Sequence, residues 1–165
     1  MSKLFIHPTQ TAEWHALINE AESIRHIQLG VELESYLVFL LMRFSAKPEL
    51  VASVLGLDFL ESAQAIGQKP YLLKDVGDKC MLFAGLFPER AKRRRVTPAY
   101  FIKLGQTAYS TLSCTLATQD SDFYATLCGR FVPMIDVLSA TRDIANSSQA
   151  NDLFAPLLNL STSAH

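Results

Sequence analysis

No Cys-x-x-Cys pair and no Cys–His cluster occurs in the 165 residues: Cys80, Cys114 and Cys128 stand 34 and 14 positions apart. That spacing excludes zinc-finger and thioredoxin-type chemistry. The apolar helical surroundings of each thiol predict three small core residues. Glycine and proline number seven each, too few for collagen-like or low-complexity material. No charge of one sign prevails, since 15 Lys and Arg face 16 Asp and Glu. A net charge of −1 excludes a globally basic, histone-like nucleic-acid binder. The strongest apolar run, Tyr36–Met42, is bounded by Glu32, Glu34 and Arg43, far short of the ~20 residues of a membrane span. Only Leu4, Phe5 and Ile6 precede Pro8 as an apolar group after the first lysine. A secretory core needs about 7–15 such residues, so a cytoplasmic location without membrane contact is expected.

Catalytic signatures are missing as well. The chain has no Gly-x-Ser-x-Gly, P-loop, GxGxxG or HExxH. No Glu is followed three residues later by His, the pairing that builds di-iron sites in helical bundles. His15 and His26 lie eleven residues apart, roughly 16 Å along a helix, too far to share an ion. Glu22 and His26, four apart, are expected to form a solvated pair. No cofactor, metal site or catalytic residue is therefore expected, and the balance leans away from an enzyme.

What is present is helical periodicity. Apolar residues make up 49% of the chain, and they recur at three- and four-residue steps in nearly every segment. The spacing predicts a helix over 10–29, capped by Thr9 or Thr11 and stopped by Gly30. A second helix, 31–45, is apolar almost all round, which predicts the centre of the bundle, packed by helices over 98–117 and 122–145. Pro48 starts further helical pattern over 48–66, and Pro70 opens a helix ending near Pro88. Thr97-Pro98 reads as a cap followed by proline at the first helical position. Gly105 and Ala108 mark close approach by a neighbour. Asp120–Asp122 would cap the helix to residue 145, with a kink at Pro133. No alternating strand pattern or internal repeat occurs. The expected architecture is one all-α bundle of about six to eight helices over residues 1–160, with 161–165 as a loose tail. The apolar segment Leu153–Leu160 is expected to dock, or to complete a homodimer.

Two clusters carry possible chemistry. Asp75 and Asp78 share one helix face. They suit a ligand site with nearby arginines, Tyr100 and Lys103, since arginine pairs grip carboxylates and phosphates bidentately. More commonly such acids pair with neighbours, here Lys74, Lys79 or the arginines that follow. Gly77 between them, costly inside a helix, marks a place where another helix or the following turn comes close.

The other cluster is Arg90, Lys92, Arg93, Arg94 and Arg95, five cations in six residues. Their density fits neutralisation of several phosphates or of an acidic protein surface, while Tyr100, Phe101 and Tyr109 on the next helix are core residues or stacking platforms. A solvated turn offsetting a helix dipole is the alternative. Charge is unevenly spread: −4 over residues 1–68, +6 over 69–110 and −3 over 111–165.

The stretch from Asp75-Val-Gly-Asp through Gly85-Leu-Phe-Pro-Glu89, then Arg93–Val96, Tyr100–Gly105 and Ala108-Tyr109, resembles a group of uncharacterised all-helical bacterial proteins. The resemblance covers about the middle quarter of the chain. It implies a bacterial origin and an all-helical fold, and it implies no activity. The expected function is a non-catalytic binding or regulatory module that engages an acidic protein or nucleic-acid surface.

Overall fold

A computed structural model describes residues 8–47, 49, 70–89, 97–147 and 155. The helical pattern expected over 48–66, the basic run 90–95, the docking segment 153–160 and the tail 161–165 lie outside the described residues, 49 and 155 apart. Among the described residues six helices follow one another: α1 (Pro8–Arg25), α2 (Val31–Ala46), α3 (Pro70–Leu86), α4 (Pro98–Thr115), α5 (Thr118–Gly129) and α6 (Phe131–Ser147). The fold is an all-α bundle, with no strand among the described residues. No described helix is long and apolar enough to cross a membrane.

In α1, Trp14, Ile18 and Ala21 fall on one face and are fully buried, where α1 packs against α2 and α6. The helix stops at His26 rather than at Gly30. His26 adopts a left-handed backbone, φ 58°. Its N–H bonds the Ser23 carbonyl at 3.3 Å, and the Ile27 N–H bonds the Glu22 carbonyl at 3.0 Å. Paired bonds of this kind satisfy the last carbonyls of a helix whose next residue is left-handed. Gly30, at φ 92°, instead supplies the backbone from which α2 starts, a conformation that disfavours any side chain. Because a β-carbon at His26 is strained, His26→Gly should stabilise the fold by about 1 kcal/mol and raise Tm by about 2–4 °C. A thermal melt showing no gain, or a loss, would refute that account of the corner.

Among the described residues the centre of the bundle is α3, not α2. Eleven of its 17 residues are buried, and it packs on α4 and α6. By contrast α2 leaves Phe39 62% and Val31 74% exposed, and its main neighbour among the described helices is α1. The reason lies in glycines: at Gly77 and Gly85 the Tyr109 ring and the Leu138 side chain press against the α3 backbone. Gly105 does the same on α4, beneath the Phe131 ring and the Cys80 side chain. Small residues let α3 accept neighbours on several sides, whereas an apolar surface alone does not make a helix central.

Thr97 and Pro98 behave as the sequence predicts: the Thr97 side chain accepts the Tyr100 N–H at 3.1 Å, and Pro98 opens α4. The long helix expected over 122–145 is two helices. The chain breaks at Gly129–Arg130, where the Arg130 N–H still bonds Thr126 and the Arg130 carbonyl receives the Met134 N–H. Pro133 then falls in the first turn of α6, where its missing N–H costs nothing. The start of α5 lies at Thr118, ahead of the expected cap, with Asp120 in its first turn beside the positive end of the dipole.

Candidate functional site

Lys74, Asp75, Asp78 and Lys79 lie on α3, and their four-residue spacing already joins them in pairs. Lys74 Nζ lies 2.7 Å from Asp78 Oδ2, and Lys79 Nζ lies 3.0 Å from Asp75 Oδ2. From α2, Arg43 reaches over both acids. Its Nη2 bonds Asp75 Oδ1 at 2.8 Å, and its Nη1 lies 3.4 Å from Asp78 Oδ2. The remaining oxygen, Asp78 Oδ1, accepts the hydroxyls of Tyr36 from α2 and of Tyr109 from α4, the latter at 2.6 Å. Gly77 makes the last bond possible, because the Tyr109 ring occupies the space a β-carbon would need.

Asp78 is thus completely buried with two phenols on one oxygen and two cations on the other. A carboxylate offers about four acceptor sites, so its capacity is filled. Burial, followed by the negative field of Asp78, holds the phenols of Tyr36 and Tyr109 well above the ordinary tyrosine range. They stay protonated, as donors must. Tyr124 on α5 is raised by the same two causes and by Asp120, and its ring lies 6.0 Å from that of Tyr109. Lys74 also sits over the Tyr36 ring at 5.3 Å, adding a cation–π contact. The arrangement can lock α2, α3 and α4 together. Asp78, buried and fully bonded, presents no unfilled acceptor to a ligand.

The structure brings Asp75 and Asp78 together with lysines from their own helix, as their spacing suggests, and with Arg43, which spacing alone does not reveal. Tyr100 and Lys103 are exposed and precede Tyr109 on α4 by nine and six residues, about 14 and 9 Å along the axis. Tyr100 instead packs edge-on against Phe101 at 5.8 Å. Phe101 and Tyr109 are core residues. Arg90, Lys92, Arg93, Arg94 and Arg95 lie outside the described residues. Sequence inspection missed Tyr36, Tyr109 and Arg43 as polar partners. A usable signal is present in α2, where Tyr36 and Arg43 are seven residues apart and so share a face at the two ends of the apolar run 37–42.

Two smaller expectations are corrected. Of the cysteines only Cys80 is buried, its thiol pushed far up by burial; Cys114 is exposed and Cys128 half-buried. The second concerns Glu22, which is no solvated partner of His26. It is buried, and its Oε2 accepts the Leu29 N–H at 2.8 Å. Among the described residues no group of three His, Cys, Asp or Glu side chains is placed to hold a metal ion. No family model, curated protein or solved structure matches the chain.

Proposed function

We propose that the protein is a non-catalytic binding or regulatory module, and that Arg90, Lys92, Arg93, Arg94 and Arg95 engage an acidic surface on a protein or a nucleic acid. One observation carries this reading. The paired acids of α3, Asp75 and Asp78, obtain their counter-charges from Arg43, Lys74 and Lys79. With Asp78 saturated by these partners, it does not call on the run of five cations in six residues for counter-charge. Like charges at such density repel one another unless an anionic partner or solvent compensates them. The small-ligand alternative on Asp75, Asp78, Tyr100 and Lys103 has no comparable support, since Asp78 has no acceptor site left to offer.

The test is binding of the full chain to a duplex oligonucleotide and to a polyglutamate peptide across 50–200 mM salt. A run that displaces counterions from about five phosphates gives a slope of log K against log salt near −4.5 on the duplex. Arg93→Glu/Arg94→Glu should weaken capture at least tenfold and flatten that slope. The probe that responds identifies the partner class. Unchanged binding of both probes at low and high salt would overturn the proposal.

A further inference from the structure

The outer face of α2 carries its own pattern. Glu32, Ser35, Phe39, Met42 and Ala46 follow one another at alternating three- and four-residue steps, the spacing by which a helix offers a seam to a second helix. Phe39, a large exposed apolar side chain, stands at the middle, between the small residues Ser35 and Ala46. Charge is divided between the two ends. Glu32 lies in the first turn. Lys47 caps the last, its N–H bonded to the Arg43 carbonyl at 3.2 Å. Both side chains are exposed, and neither has a charged partner among the described residues.

We propose that two copies of the chain pair through this face, α2 against α2 and antiparallel, about a two-fold axis at Phe39. At about 100° and 1.5 Å per residue, Glu32 and Lys47 fall on the same flank of the seam, roughly 10 and 12 Å to either side of Phe39. A two-fold axis that crosses the helices reverses direction along them and keeps the flank. Each Glu32 therefore comes level, to within about 1.5 Å, with Lys47 of the partner subunit. On the opposite flank Val31 meets Ala46 of the partner subunit, and Met42 meets Ser35 of the partner subunit, large against small. A parallel pair would set Glu32 beside Glu32 and Lys47 beside Lys47, like charges that repel. The charges thus favour a second copy in one orientation over any apolar segment, which would supply no such counter-charges. One helix from each copy buries less than about 1,200 Å², so the pair is reversible and forms at micromolar concentration.

Sedimentation equilibrium of the full chain in low salt reads the pairing. The mass should rise from 18.3 kDa toward twice that value as concentration increases from about 1 to 200 μM. Phe39→Glu should keep the single mass throughout, with the urea midpoint of the wild type. Glu32→Lys and Lys47→Glu should each weaken pairing about tenfold, since each sets two like-charged contacts across the seam. An equimolar mixture of those two variants should pair at least as tightly as the wild type, because every flanking contact is then attractive. A wild type that keeps the single mass would overturn the pairing and leave the face to residues 50–66 or to another protein. A Phe39→Glu chain that still doubles, or a mixture no tighter than its separate variants, would overturn it too.

Discussion

Asp78→Ala should cost about 3–5 kcal/mol of folding stability in urea unfolding, the range for removing one member of a buried ion pair. The two sides of the carboxylate contribute differently. Lys74 and Arg43 are each about 40% exposed and can turn to water when their acid is gone. Tyr109 is fully buried and cannot, so its hydroxyl, with that of Tyr36, is left beside an apolar methyl. Each orphaned hydroxyl costs about 1–3 kcal/mol. Asp78→Asn keeps one acceptor for the phenols and should cost less than Asp78→Ala, losing chiefly the bonds to the cations. Equal losses would mean that the phenols do not depend on Asp78. A change within about 0.5 kcal/mol for Asp78→Ala, the range of an ordinary surface substitution, would remove Asp78 from its structural role.

Gly77→Ala should also destabilise, although alanine is the better helix former by about 1 kcal/mol. The added β-carbon would lie 2.4 Å from Tyr109 Cε1 and 2.7 Å from Cδ1. These are atoms of a rigid ring whose hydroxyl is tied to Asp78, so the ring cannot withdraw without breaking that bond. Overpacking of about 1–3 kcal/mol combined with a weakened buried hydrogen bond outweighs the gain in helix propensity, leaving a net loss of about 1–3 kcal/mol. The matched control is Gly129→Ala, where a β-carbon meets nothing within 4 Å, and which should be neutral or mildly stabilising. If the clash is the cause, Gly77→Ala/Tyr109→Leu should lose less than the sum of its single changes, because the two sites are in contact. Additive losses would place the fault elsewhere.

The helical class, the Thr97-Pro98 start and the lysine partners of Asp75 and Asp78 were legible in the sequence because each rests on local spacing. An i,i+4 pair or an N-cap is decided within one helical turn. The central helix was not legible, because hydrophobicity around α2 says nothing about whether a neighbour can approach it. Gly77 and Gly85 decide that, through side chains from α4 and α6. The same holds for Asp78: Lys74 is four residues away, whereas Tyr36 and Tyr109 are 42 and 31 positions distant, and such pairing is a property of the packed bundle. Glu22 is the opposite case. Its spacing to His26 suggests a solvated pair, but the left-handed turn at His26 brings the Leu29 N–H to it instead.

We propose a separation between an inner charge cluster, supplied by Arg43, Lys74 and Lys79, and a basic run that serves binding. The folding stability of Arg93→Glu/Arg94→Glu by urea unfolding tests that separation most directly. It should match the wild type to within about 0.5 kcal/mol, the scatter of surface substitutions, while the binding described above is lost. A loss comparable to that of Asp78→Ala would mean that the arginines are internal counter-ions, and would contradict both the separation and the proposed binding role.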